Sequence, residues 1–280
     1  MLTAFHVKRD IPERRIQKLR LFCQKEPIEE QIITNGSLVV KSVVCTQQKK
    51  NPPVGRAIKA LSPAPVVLCE KEDWIFPKNS PFARFSGREL MAPLSINAGV
   101  AVLSRSCLPP KEVRVGLYDP QARWMPALRR LLFLSSNLTV LTEDVELYEF
   151  ECRRLMEEYG ASVRVGDSCG MLSRCGVVLA PGRINRALPL QGDALVFTGA
   201  PPGACVSAMV YDDYLLKLPR ELLEMKPDFL SDTYFAKAVY SLCRRKSLRH
   251  LTPYAARCGE REETIGIISE KARFSRCLHA

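Results

Sequence analysis

Polar and glycine-containing turns follow several short apolar runs in the middle of this 280-residue chain. In a parallel sheet such turns would meet at the edge where the strands end, which is where α/β proteins bind ligands. Arginine at that edge can receive a phosphate or carboxylate, and glycine lets the backbone approach a ligand closely. Ordinary loops that bind no ligand would contain the same turns. The candidate ligand-binding residues are Asp119, Arg123, Glu143, Asp167, Arg183 and Gly199.

The turn Tyr118-Asp119-Pro120-Gln121-Ala122 contains no glycine, which is unusual for a phosphate-binding loop. A pyrophosphate needs unobstructed backbone N–H groups, hence G-x-G-x-x-G after the first strand. Pro120 removes one donor, Asp119 places a negative charge where the anion would lie, and Arg123 can compensate only through its side chain. Glu143 or Asp144, about 25 residues further on, stands where an acid can hold ribose hydroxyls. The same acids could instead cap the following helix.

Several common catalytic motifs are missing from the sequence. It contains no GxxxxGK[ST] or HExxH, and the histidines His6, His250 and His279 lie far from the candidate turns. The 11 cysteines form no CxxC pair, which favours reduced thiols packed as small hydrophobic side chains over a metal site or a disulfide framework. Cys169 in GDSCG is the thiol whose reactivity merits examination. The sequence identifies no catalytic residue and no metal ligand.

Buried strands and amphipathic helices alternate in the region that must position these turns. Continuous runs of Val and Leu predict strands buried on both faces of a parallel sheet. The helix Val145–Tyr159 has one apolar stripe and a left-handed cap at Gly160, and a shorter helix covers Trp124–Leu134. The predicted strands are Val113–Tyr118, Leu138–Leu141, Ser162–Val165, Val177–Ala180 and Ala194–Thr198.

This rhythm, with the segments VRVGLYD, NLTVLTED and EEYGASVRVGD, resembles the Rossmann-like superfamily over residues 111–205. We therefore expect an α/β protein with a mainly parallel Rossmann-like domain at 109–218. A smaller mixed α/β domain would precede it at 1–108, with a hairpin at Asn35-Gly36 and a boundary in the Pro-rich segment CLPPK. Helices and a basic tail would follow at 219–280.

The resemblance implies a small anionic or nucleotide-like ligand at the carboxyl ends of the strands, with NAD or NADP as candidate cofactors of a divergent oxidoreductase. The charge distribution supports a second hypothesis. The net charge is +11, with +7 in residues 1–60, +5 in residues 242–280 and −1 between them. A non-enzymatic scaffold could use these basic ends, including Arg244-Arg245-Lys246, to engage an acidic partner or nucleic acid. Solvated surface charge is the simpler explanation.

The sequence contains no apolar run of the roughly 18 residues that span a bilayer and no apolar segment typical of a secretory signal. We therefore expect a soluble, cytoplasmic protein without membrane insertion.

Overall fold

The computed structural model describes residues 1–9, 28–47, 54–61, 64–70, 79–243 and 248–274. The chain divides into two compact units. One contains Met1–Gly87 and Lys217–Arg245, and the other contains Arg88–Leu216 and Lys246–Ala280. The division into three domains, with boundaries at 108 and 218, stays a prediction. The basic cluster Arg244-Arg245-Lys246 lies outside the described residues.

The first unit contains a five-stranded mixed sheet in the order β2-β3-β1-β4-β5. Strands β2 and β3 form the predicted antiparallel hairpin, with Gly36 at a φ of 55° in its turn. The hairpin is therefore confirmed, because glycine tolerates the left-handed conformation that a two-residue turn needs. The strands are β1 (Leu2–Arg9), β2 (Ile28–Asn35), β3 (Leu38–Gln47), β4 (Val66–Leu68) and β5 (Ala83–Arg84).

Both faces of this sheet are covered over its centre, whereas most residues of the edge strand β2 are exposed. One face packs on helix α1 (Val54–Leu61), through residues such as Phe5 and Val43. The opposite face contacts two later helices, α5 (Arg220–Leu223) and α6 (Asp232–Leu242). Ser231 caps α6 by accepting a hydrogen bond from the backbone N–H of Tyr234.

The second unit contains a six-stranded parallel sheet in the order β11-β10-β9-β6-β7-β8. Counted along the chain this is the order 3-2-1-4-5-6 of doubly wound dinucleotide-binding folds. The Rossmann-like architecture is therefore confirmed by topology, and five of its strands are the predicted ones. They are β6 (Arg114–Tyr118), β7 (Asn137–Leu141), β8 (Val163–Gly166), β9 (Val177–Ala180), β10 (Leu195–Thr198) and β11 (Met209–Tyr211).

Helices α2 (Arg88–Ser106), α3 (Pro126–Leu132) and α4 (Val145–Tyr159) belong to this unit. α2 packs on β9 and β10, and Gly99 makes room there for Leu179 and Phe197. α2 is a single continuous helix, with Pro93 in its second turn. α4 has the predicted bounds and the predicted left-handed cap at Gly160.

The opposite face of the parallel sheet is covered by connections without α-helix. Residues 167–176, 181–194 and 199–208 contain one 3₁₀ turn, Cys169–Leu172, and otherwise irregular chain. Leu172, Ile184, Leu188 and Leu190 from these segments pack against inward-facing residues of the sheet. This cover is thinner than the helices of an ordinary doubly wound fold.

An antiparallel sheet that the sequence did not predict completes the second unit. It consists of β12 (Asp213–Leu215), β13 (Ala255–Cys258) and β14 (Arg261–Thr264), and helix α7 (Ile265–Phe274) follows. Among the described residues, no helix is long and apolar enough to cross a membrane.

The side chain of Tyr214 is buried beside the carboxyl end of β10. Its buried hydroxyl lies 3.0 Å from the carbonyl oxygen of Thr198 and 2.9 Å from that of Tyr211, and burial raises its pKa well above the usual value. Tyr214→Phe should lower the free energy of unfolding by about 1–3 kcal/mol, because the two carbonyls lose the single hydroxyl proton that they share. Chemical denaturation of this variant and of Tyr159→Phe measures the effect.

Tyr159 is a suitable control because its side chain is half exposed and its hydroxyl makes no hydrogen bond with any described residue. Equal unfolding free energies for the two variants would contradict this role of Tyr214.

Candidate functional site

Backbone hydrogen bonds continue past the ends of β6, β7 and β8 and align the candidate acids along one edge. The N–H of Asp119 donates to the carbonyl of Leu141 at 3.0 Å, and the N–H of Thr142 donates to the carbonyl of Gly166 at 3.0 Å. The N–H of Glu143 then donates to the carbonyl of Pro120 at 3.2 Å. Because of this ladder, the backbones of Asp119, Glu143 and Asp167 are neighbours at the carboxyl edge of the sheet.

The loop after β9 brings two arginines to the same edge. Arg186 donates from Nη1 to the carbonyl oxygen of Asp167 at 3.3 Å, although β6 and β7 separate β9 from β8. The guanidinium of Arg183 lies over Gly203, where a Cβ atom would come within 2.9 Å of Nε. Both arginine side chains are exposed. The edge therefore presents cationic groups from one loop beside the acids Glu143 and Asp167.

Asp119 itself is buried, and its carboxylate is bound within the protein. Oδ1 accepts from the N–H of Arg123 at 3.1 Å, and Oδ2 accepts from the N–H of Trp124 at 2.6 Å and from the Tyr148 hydroxyl at 2.6 Å. Ala122 adopts a left-handed φ of 51° and returns its N–H to the Asp119 carbonyl. The turn after β6 thus closes around its own carboxylate, which we call the Asp119 turn.

The Asp119 turn does not fit the pyrophosphate of a dinucleotide in the usual pose. In Rossmann folds the backbone N–H groups of this turn bind the phosphate oxygens. Here two of those donors already bind a carboxylate, and Pro120 has none. A phosphate at this position would also face the negative charge of Asp119.

Tyr148 in helix α4 supports the arrangement. Sequence reasoning placed this residue only in the apolar stripe of the helix and missed its role. Its side chain is fully buried. Burial, and next the hydrogen bond to Asp119 and the negative charge of that group, raise the Tyr148 pKa far above its usual value. The hydroxyl therefore stays protonated and donates to the carboxylate throughout the physiological pH range.

Gly199 serves close packing at the end of β10. A Cβ atom at this position would overlap the carbonyl oxygen of Pro181 and lie 3.0 Å from Cα of Ala92. At Gly182, by contrast, a Cβ would meet nothing within 4 Å. Packing alone explains Gly199, and its contact with a ligand stays a prediction.

The side chain of Arg123 lines a separate cavity of about 250 Å³ between α2 and α3. Trp124, Pro126 and Ile96 also line this cavity, whereas Arg183 and Arg186 do not. The structure thus brings Glu143, Asp167 and Arg183 to one edge and places the Arg123 side chain elsewhere.

The described thiols are free, and Cys45, Cys69 and Cys175 are buried. Burial raises the pKa of Cys175 to about 11. Cys169 is half-buried in the 3₁₀ turn. Within the described part of the chain, no three His, Cys, Asp or Glu side chains come close enough together to hold a metal ion.

Comparison with protein-family models and with curated proteins found no match. Several solved structures show similarity, and two of them illustrate how weak it is. One is an archaeal alanine dehydrogenase dimer with bound NAD, at 10% identity and a TM-score of 0.28, covering 64% of this chain and 57% of that one. The other is a lysine cyclodeaminase that recognises L-lysine, L-ornithine and L-2,4-diaminobutyric acid, at 16% identity and a TM-score of 0.26, covering 69% and 60%. Similarity at this level assigns neither ligand nor activity, and the fold assignment rests on strand order.

Asp119→Asn should destabilise the second unit, because an amide in place of the carboxylate cannot accept all three hydrogen bonds. We expect an unfolding free energy lower by about 2–4 kcal/mol, since buried donors lose charge-assisted partners. The matched control is Asp144→Asn. Asp144 occupies the N-cap of α4 but makes no capping hydrogen bond with its side chain. Denaturation curves that leave both variants equally stable would show that the Asp119 contacts are dispensable.

Gly199→Ala should also destabilise the protein, by roughly 1–3 kcal/mol, because the added methyl group overlaps backbone that cannot move freely. Gly182→Ala provides the comparison in open space. Thermal unfolding of both variants checks this, and an unchanged melting temperature for Gly199→Ala would refute the packing role.

Proposed function

We propose that the protein binds a small nucleotide-like ligand at the carboxyl edge of the parallel sheet, with its phosphate on Arg183 and Arg186 rather than on the turn after β6. The observation that supports this best is that Arg186, in the loop after β9, contacts the chain at the end of β8. The crevice at a change of strand order is the general ligand site of open α/β sheets. Here that change falls between β6 and β9.

The charges along the edge match the two ends of such a ligand. Arg183 and Arg186 are exposed and form no ion pair with a described residue, so their guanidinium groups are available to phosphate oxygens. Glu143 is exposed at the end of β7, the position from which an acid binds ribose hydroxyls in this fold. Asp167 adds a second acceptor on the neighbouring strand.

The proposal concerns binding and assigns no reaction. NAD and NADP belong to the same ligand class, but their pyrophosphate would have to avoid the Asp119 turn. A ligand with one phosphate and a ribose avoids that conflict, so we expect adenosine monophosphate to bind at least as well as NAD.

A thermal-shift series with adenosine monophosphate, NAD, NADP and S-adenosylmethionine tests the proposal. At millimolar concentration, ligands that bind the native state should raise the melting temperature by mass action. Arg183→Gln/Arg186→Gln should abolish the shift, whereas Arg153→Gln/Arg220→Gln, which removes two exposed charges elsewhere, should preserve it. No stabilisation by any of these ligands would overturn the proposal.

The acid is tested separately by comparing Glu143→Gln with Glu146→Gln. Both residues are exposed, but Glu146 lies within the first turn of α4 rather than at the strand end. Isothermal titration should show weaker binding of adenosine monophosphate to the first variant only. If the two variants bind equally well, Glu143 does not contact the ribose.

A further inference from the structure

A second polar cleft lies at the opposite, amino edge of the same sheet. It has a volume of about 390 Å³, within the range of small-ligand sites. Three arginines line it, and no acidic residue is among its lining residues. Arg114 comes from β6, Arg164 from β8 and Arg174 from the β8–β9 connection. We call it the arginine cleft.

The register of the sheet explains why these arginines converge. Arg114 pairs with Asn137 across β6 and β7, and Thr139 pairs with Arg164 across β7 and β8. Residues aligned or two apart on neighbouring strands project from the same face, and two strand spacings amount to about 10 Å. Side chains as long as arginine can meet across that distance.

The thin cover of this face keeps the cleft open. The β8–β9 connection passes over the sheet with only the 3₁₀ turn Cys169–Leu172, where a doubly wound fold usually places a full helix. The strand β8 lies at the edge of the sheet and is incompletely buried, and Arg164 is exposed. Every residue of β9, in the interior of the sheet, is buried.

The cleft carries uncompensated positive charge. The guanidinium groups of Arg114, Arg164 and Arg174 form no salt bridge and no hydrogen bond with any residue that the structure describes. Burial raises the pKa of Cys175 in the cleft wall, while its hydrogen bond with Thr139 and the charges of Arg164 and Arg114 act in the opposite direction. Both guanidinium charges therefore act on the same buried thiol.

Hydroxyl and amide groups complete the lining. Ser136, Ser162 and Thr139 offer hydroxyls at the edge of the strands, beside the side chain of Asn137. Guanidinium groups together with hydroxyls and amides are the donors that phosphate oxygens accept in proteins. A single phosphate would neutralise fewer charges than three arginines supply, which favours an anion with two linked phosphates.

We propose that the arginine cleft binds a compact diphosphate anion, independently of the site at the carboxyl edge. The ligand class is the diphosphate group itself, either as inorganic pyrophosphate or as part of a nucleoside diphosphate.

Isothermal titration with inorganic pyrophosphate at low ionic strength tests this proposal. Wild-type protein should bind pyrophosphate more tightly than orthophosphate, and added salt should weaken the binding because screening reduces the attraction. Arg164→Gln/Arg174→Gln should lower the affinity at least about tenfold, as expected for the loss of charged hydrogen bonds. Both positions are exposed, so the variant should keep the wild-type melting temperature.

Two controls separate the cleft from the overall positive charge and from the other site. Arg153→Gln/Arg220→Gln removes the same charge elsewhere and should bind pyrophosphate as the wild type does. Arg183→Gln/Arg186→Gln tests independence and should also retain pyrophosphate binding. In the Arg183→Gln/Arg186→Gln variant, which lacks the proposed site at the carboxyl edge, adenosine diphosphate binding more tightly than pyrophosphate would indicate a nucleoside diphosphate, and equal affinities would indicate recognition of the diphosphate alone.

Absence of pyrophosphate binding by the wild type would overturn the proposal. The same conclusion would follow if Arg164→Gln/Arg174→Gln bound as well as the wild type, or if the control pair lost affinity equally. Because each site has its own variant, failure of one proposal is distinguishable from failure of the other.

Discussion

The hydrogen-bonded carboxylate of Asp119 determines how this Rossmann-like unit can be used. Its oxygens bind the backbone N–H groups of Arg123 and Trp124 and the Tyr148 hydroxyl, and the group is almost completely buried. In dinucleotide-binding folds of this topology the corresponding donors are free to bind a phosphate. Here an internal anion takes that place. A chain can therefore have this fold without a nucleotide-binding turn. Its function must be inferred from the residues of the site itself.

Two consequences follow from a closed turn at β6. Anionic ligands at the carboxyl edge have to be bound by side chains, and Arg183 and Arg186 are the cationic groups that the β9 loop supplies there. The link between the β6 turn and helix α4 through Tyr148 also fixes α4 against the sheet. The face of the sheet opposite α4 is covered by connections that contain a single 3₁₀ turn and no α-helix. Arg164 and Thr139 line an open cleft on that face.

The sequence predicted the parallel sheet well because its strands are nearly continuous apolar runs, and it placed α4 correctly because one stripe and Gly160 mark its ends. It did not predict β11, which has three residues, or the β12–β14 sheet, whose strands have three or four residues and include charged ones. Such short strands acquire their structure from pairing rather than from local preference.

The candidate site was predictable only in part. The sequence indicates that Asp119 disfavours a phosphate, but not that its carboxylate binds its own turn, because this depends on how α4 presents Tyr148 to the sheet. From the sequence alone, Gly199 is as consistent with a bound ligand as with the close packing that the structure shows. The arginine cleft has no sequence signature at all, since Arg114, Arg164 and Arg174 come together only through strand register.

The most direct measurement is a nuclear magnetic resonance titration. It follows the backbone amide signals of Arg123 and Trp124 while NAD or adenosine monophosphate is added. If the carboxylate of Asp119 permanently occupies these donors, both resonances should keep their positions at saturation while signals from the Arg183–Arg186 loop move. Large shifts at Arg123 and Trp124, with little change at Arg183 and Arg186, would mean that the phosphate reaches the turn and would contradict the account.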